Sequence, residues 1–117
     1  MTVNISYLTD MDGVLIKEGE MIPGADRFLQ SLTDNNVEFM VLTNNSIFTP
    51  RDLSARLKTS GLDIPPERIW TSATATAHFL KSQVKEGTAY VVGESGLTTA
   101  LHTAGWILTD ANHEFVV

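Results

Sequence analysis

The run Asp10-Met11-Asp12-Gly13 sets two carboxylates two positions apart, directly after a strand-like stretch. In an extended segment such a pair points the same way. Close like charges disfavour ionising both groups together, so one carboxylate can serve as a charged nucleophile or metal ligand while the other holds a proton. A hard cation such as Mg²⁺ suits one or two carboxylates joined by backbone carbonyl and phosphate oxygens. A second run, Thr43-Asn44-Asn45-Ser46, also follows an apolar strand-like stretch. Its hydroxyl, two amides and turn of backbone N–H groups would cradle a phosphoryl oxygen.

Each run also has a plainer reading. Asp-x-Asp-Gly is an ordinary solvated turn, and Thr-Asn-Asn-Ser an ordinary helix-capping loop. A calcium loop is disfavoured, because its twelfth position requires Glu and counting from Asp10 gives Met21. The conjunction favours chemistry: both runs end consecutive strands of a parallel sheet, side by side where α/β sheets bind ligands.

The elements that must position these runs alternate between strand-like and helix-like, which predicts an α/β fold on a mainly parallel sheet. Val3 to Leu8 is the first predicted strand, ending at Thr9-Asp10, and Asp10 to Pro23 is a predicted long loop. Ala25, Phe28, Leu29 and Leu32 fall at helical spacing, and Asn35-Asn36 ends that helix. Val37 to Leu42 is a short buried strand. Thr49 caps a helix with Pro50 at its first position, Leu53 and Leu57 inward and Gly61 as its stop.

Arg68 to Trp70 is a third strand candidate, followed by a helix capped by Thr71 or Ser72 with the apolar stripe Ala73, Ala77, Leu80 and Val84. Thr88 to Val92 is a further strand. It turns at Gly93-Glu94-Ser95-Gly96, with Ser95 as cap, into a helix ended by Gly105. That turn lacks the G-x-G-x-x-G spacing of a dinucleotide site. Ile107-Leu108 and Phe115 to Val117 are the last strand candidates. His78, His102 and His113 share no metal-ligand spacing, and Trp70 and Trp106 read as packing residues.

Composition sets the outer bounds. A chain of 117 residues, 43% apolar and without cysteine, is one small globular domain that folds without disulfides and has no thiolate chemistry. A net charge of −6 argues against nucleic acid or an anionic membrane as partner. The longest apolar runs are four residues, such as Phe39 to Leu42, whereas a membrane span needs about 20. With no basic-then-apolar leader, the chain reads as cytoplasmic. The abrupt apolar ending at Val116-Val117 is unusual for a domain and predicts an unpaired strand or a partner for it, a homo-oligomer among the options.

Together, the strand ending in Asp10-x-Asp12-Gly13-Val14-Leu15 and the run Leu42-Thr43-Asn44-Asn45-Ser46 resemble the first and second motifs of the haloacid dehalogenase superfamily of phosphohydrolases. Their spacing, with Pro23-Gly24-Ala25, Thr71-Ser72-Ala73 and Tyr90-Val91-Val92-Gly93-Glu94, is similar to the NagD-like and nitrophenylphosphatase-like branch, over essentially the whole chain. The resemblance implies a Rossmann-like core and a Mg²⁺-dependent phosphomonoester hydrolase acting on a small phosphorylated metabolite, a nucleotide or sugar phosphate. It implies that Asp10 is the nucleophile that becomes an aspartyl-phosphate, and that Asp12 is acid and then base. It further implies Mg²⁺ held by Asp10 and Asp12, phosphate held by Thr43 and Asn44 with help from Asn45, and a turn at Gly13 beneath the phosphate.

The match also has a gap. Family members carry a later lysine beside the nucleophile and an acidic motif that completes the metal shell, and no residue here stands in the right context for either. The resemblance therefore implies an incomplete core: residues 1–86 as its first part, 87–117 as the beginning of an inserted cap, and little activity in the isolated stretch. Two rival readings are a receiver-type signalling domain, disfavoured because no Asp closes the Val37 to Leu42 strand, and a non-catalytic scaffold that keeps the fold.

Overall fold

The computed structural model describes residues 5–117. Val3 and Asn4, the start of the first expected strand, lie outside the described residues. In chain order the elements are β1 (Tyr7–Asp10), β2 (Ile16–Lys17), β3 (Glu20–Met21), α1 (Ala25–Asp34), β4 (Phe39–Thr43) and α2 (Pro50–Thr59). A 3-10 turn, Pro66–Arg68, leads into β5 (Ile69–Thr71), α3 (Ser72–Gln83), β6 (Thr88–Tyr90), α4 (Ser95–Thr103), β7 (Ile107–Leu108) and β8 (Phe115–Val116). The fold is α/β with parallel pairing, as the alternation predicts.

The chain forms two compact units, Met1–Thr43 with Leu53–Trp70, and Asn44–Asp52 with Thr71–Val117. In the first, β4 is the central strand of a sheet ordered β1-β4-β5, and β1 runs parallel to it with Tyr7 opposite Phe39 and Asp10 opposite Leu42. Phe39, Val41 and Thr43 of β4 are buried while Leu42 is exposed, the period-two signature of a strand with one covered face. Helix α1 buries Ala25, Leu29 and Leu32, and α2 buries Leu53 and Leu57, as their spacing predicts, but Phe28, at the same spacing, stays 41% exposed and packs edge-on against Tyr7. The Thr49 hydroxyl accepts from the Asp52 N–H at 3.1 Å, so the expected cap of α2 is in place. The Arg68 guanidinium donates to the Phe39 carbonyl at 2.9 Å and lies 4.5 Å over the Phe39 ring, tying the 3-10 turn to the start of β4.

The stretch from Asp10 to Pro23 is more ordered than a loop. Strands β2 and β3 pair antiparallel, Ile16 with Met21 and Lys17 with Glu20, across Glu18 (φ 52°) and Gly19 (φ 80°). Two positive φ values in a two-residue loop make a type I′ turn, whose twist matches the flanking strands. The Ser60 hydroxyl donates to the Gly19 carbonyl at 2.9 Å and pins the hairpin to the end of α2.

In the second unit, Ala77 and Leu80 of α3 share a buried core with Ala89, Leu101 and Trp106. Its sheet is ordered β7-β6-β8 with both pairings parallel, and Ala89 faces Leu108 on one side and Phe115 on the other. The Trp106 ring packs edge-on against Phe115 with centroids 5.3 Å apart, and a Cβ at Gly87 would come within 2.8 Å of the indole. β8 is thus paired with β6 on one side.

Several boundaries differ from the sequence reading. β1 runs through Thr9 and Asp10 because it pairs with β4 up to Leu42. β4 begins at Phe39 and takes in Thr43, Arg68 belongs to the 3-10 turn, β6 stops at Tyr90, and Val84 is the C-cap of α3. Ser95 is not a cap: Glu94 holds that position without a side-chain bond, and the Ser95 hydroxyl donates to the Ile47 carbonyl instead.

Thr71 is 1% exposed, and its hydroxyl accepts from the Thr74 N–H at 3.0 Å, capping α3. Thr71→Val keeps the volume and removes the acceptor, so it should lower the unfolding free energy by about 1 kcal/mol in urea melts while Thr71→Ser costs less.

Candidate active site

Strand β1 delivers Asp10 to its carboxyl end. There the Met11 N–H donates both to the Leu42 carbonyl at 3.1 Å and to Asp10 Oδ1 at 2.8 Å. Met11 is buried while Asp10 and Asp12 on either side are exposed, so the two carboxylates emerge on the same side of an extended segment. Among the described residues Asp10 Oδ2 accepts no hydrogen bond, and neither carboxylate has a Lys or Arg ion pair.

Beyond Asp12 the chain closes a tight turn. Gly13, at φ 84°, donates its N–H to the Ile16 carbonyl at 2.8 Å, and the Leu15 and Ile16 N–H groups return to the Met11 carbonyl at 2.9 and 3.1 Å. Nothing lies within 4 Å of where a Cβ on Gly13 would stand, so glycine serves the left-handed backbone and not a lack of room. Buried Leu15 anchors the turn to the interior, and the hairpin continues from it.

The end of β4 supplies the third group. Thr43 is 6% exposed, and its hydroxyl donates to Asp12 Oδ2 at 3.2 Å, across 31 residues of chain. The structure therefore brings Asp10, Asp12, Gly13 and Thr43 together. Asn44 and Asn45 follow Thr43 in the chain and belong to the second unit. There the Asn45 side-chain oxygen accepts from the Ile47 and Phe48 N–H groups at 3.0 and 3.2 Å, turning back on its own loop. Asn44 is exposed, and its carbonyl accepts from the Ser72 hydroxyl at 2.9 Å. That contact was not legible in sequence.

The donor set offered by Asp10, Asp12 and the adjoining carbonyls is all oxygen, and no group of three His, Cys, Asp or Glu able to hold a metal occurs among the described residues. Two carboxylates fit a hard cation that keeps part of its water shell, and do not fit a zinc-type site. A separate cleft of about 350 Å³ in the second unit is lined by Thr74, His78, Lys81, Thr99 and Thr103 among others. It holds no carboxylate and lies on no strand end. No helix among the described residues is long and apolar enough to cross a membrane.

A parallel strand ending in an Asp-x-Asp turn stands beside a strand ending in a buried threonine bonded to the second aspartate, an acidic cluster at the strand ends of an α/β fold. The family model for haloacid dehalogenase-like hydrolases matches residues 7–107, and the chain belongs to that family. It is 99% identical over 117 residues to the dihydroxyacetone phosphatase of Corynebacterium glutamicum, covering all of this chain and 42% of that protein. It is 42% identical to the ribonucleotide monophosphatase NagD of Escherichia coli, again over the whole chain and 46% of the relative. The solved structure of NagD from Escherichia coli superposes with a TM-score of 0.89 at 41% identity, over 99% of this chain and 46% of NagD. The chain spans about half the length of the curated relatives it matches.

Thr43→Val removes the hydroxyl that donates to Asp12 without changing the volume, so the unfolding free energy at neutral pH should fall by about 1 kcal/mol. Thr43→Ser should recover most of it in the same denaturant titration.

Proposed function

We propose that these residues belong to a Mg²⁺-dependent phosphomonoester hydrolase that works through an aspartyl-phosphate on dihydroxyacetone phosphate, in the cytoplasm. The observation that carries the chemistry is the Asp10, Asp12 and Thr43 cluster at the ends of β1 and β4. The substrate rests on the 99% identity to a protein named for it. Residues 87–117 are read as the beginning of a cap, with α3 packed on the same core.

In this reading Asp10 attacks phosphorus through Oδ2, the oxygen that accepts no hydrogen bond among the described residues, while Oδ1 is steadied by the Met11 N–H. The new O–P bond forms as the ester O–P bond breaks, and Asp12 gives its proton to the departing alkoxide. Asp12 then takes a proton from water, which attacks the aspartyl-phosphate and releases phosphate with Asp10 restored. The Thr43 hydroxyl orients Asp12, and Asn44 after it in the chain holds an equatorial oxygen. Mg²⁺, held by Asp10 and the Asp12 segment, would neutralise charge on the phosphoryl oxygens. The lysine and acidic motif of the family are not among the 117 residues, so this stretch alone is proposed to turn over little substrate.

The test joins these 117 residues to the remaining length of the Corynebacterium relative and measures phosphate release. Dihydroxyacetone phosphate should be preferred to nucleoside monophosphates, and a preference for nucleotides would overturn the substrate. Asp10→Asn should cost at least about a thousand-fold in kcat, as loss of a nucleophile does. Asp12→Asn should cost about a hundred- to ten-thousand-fold, the range of general acid–base catalysis. Retention of activity in Asp10→Asn would overturn the mechanism.

A further inference from the structure

The segment Asn44–Phe48, which carries the proposed phosphate ligand Asn44, is held from outside by the first turns of two helices. Ser72 at the start of α3 donates its hydroxyl to the Asn44 carbonyl at 2.9 Å. At the start of α4 the Gly96 N–H donates to the Ile47 carbonyl at 2.9 Å, and the Ser95 hydroxyl reaches the same oxygen at 3.2 Å. The first N–H groups of a helix have no partner inside it, and Glu94 at the N-cap makes no side-chain bond to them. The Ile47 carbonyl thus does for α4 what a capping side chain ordinarily does.

Gly96 is the residue that makes this approach possible. It lies within the helix, where glycine is less favourable than alanine by about 1 kcal/mol, and no positive φ requires it there. Its place is explained by space: it is buried, and a Cβ would run into the Ser46 carbonyl oxygen and stand 2.8 Å from the Phe48 oxygen and 3.0 Å from the Ile47 carbonyl carbon. All three obstacles are backbone atoms, so no side-chain rotation relieves them. A side chain at 96 must move either α4 or the Asn44–Phe48 loop.

We infer that Gly96 and Ser95 are positioning residues for phosphate binding: the first turn of α4 fixes the conformation of the Asn44–Phe48 loop that carries Asn44. This rests on the proposed role of Asn44. Gly93 supplies an internal comparison, since the three atoms nearest a Cβ there all belong to the Leu97 side chain, and the one within 3 Å is its flexible end at 2.9 Å.

The experiment uses the same full-length hybrid, with p-nitrophenyl phosphate as substrate and orthovanadate as the phosphate-like inhibitor. Gly96→Ala should lower kcat/KM and weaken orthovanadate inhibition together, each by about ten- to a hundred-fold, the scale on which small misplacements act. Gly93→Ala should leave both unchanged. Ser95→Ala should weaken inhibition to a smaller degree, and Ser95→Thr, which keeps the hydroxyl, should recover it. A folded Gly96→Ala enzyme with undiminished orthovanadate inhibition overturns the inference, because a purely structural glycine would alter stability and leave the inhibitor constant of the folded enzyme alone. If Gly96→Ala does not fold, the Ser95 pair decides, and equal inhibition of Ser95→Ala and the parent overturns it. Loss of activity in Asp10→Asn alongside either result shows that the mechanism stands and that only the positioning role has failed.

Discussion

The parallel register of β1 on β4 is the constraint on which the acidic site depends. With Asp10 opposite Leu42, the next N–H, that of Met11, reaches the Leu42 carbonyl, and one residue further on Asp12 comes within a hydrogen bond of Thr43. A slip by one residue would invert the alternation, burying a carboxylate and exposing Met11. The register is defended from the covered side of the sheet. Phe39, Val41 and Met11 are buried, and Arg68 fixes the start of β4 through the Phe39 carbonyl and ring. The Arg68 ion pair with Glu38 is exposed and contributes little, so the neutral contacts carry this anchoring.

From that register the local turn follows. Once Met11 is buried and its carbonyl accepts from both Leu15 and Ile16, the chain has to reverse within a few residues, and Gly13 takes the left-handed backbone that the reversal demands. Leu15 then returns to the interior, and the type I′ hairpin follows directly. The hairpin is held at its tip by Ser60, so the turn that carries Asp12 is braced at both ends: by β1 before it and by the hairpin after it.

What could be read from sequence divides by the range of the interaction involved. Thr49-Pro50, the Leu53 and Leu57 pair and the Asp10-x-Asp12-Gly13 turn are local patterns, and the structure places each as its pattern predicts. The hairpin leaves no local signal, because its turn uses Glu18 at φ 52°, where Asn or Asp is the usual signal, and each strand has only two residues. Local pattern points to Ser95 as a cap, but its acceptor is the Ile47 carbonyl, 48 residues away, which no local rule can see. β1 lies later than its local pattern suggests, because Thr9 and Asp10 look like a strand's end until their partners Val41 and Leu42 are known. The two aspartates and Thr43 were legible as candidates. The bond between Asp12 and Thr43 needed the sheet.

Gly13 and Gly96 show how one residue type records two different constraints. At Gly13 the surroundings are open and the backbone angle excludes other residues, so a substitution strains the turn itself. At Gly96 the backbone angle is ordinary and the surroundings are closed by one backbone atom from each of Ser46, Ile47 and Phe48. A helix that gains nothing from glycine keeps it there because a carbonyl from elsewhere in the chain must reach its first turn. The same contact works in both directions: the loop carbonyl satisfies the helix, and the helix limits where the loop can sit. Asn45 folds the loop back on itself, and the end of α4 adds a second fixed point to it.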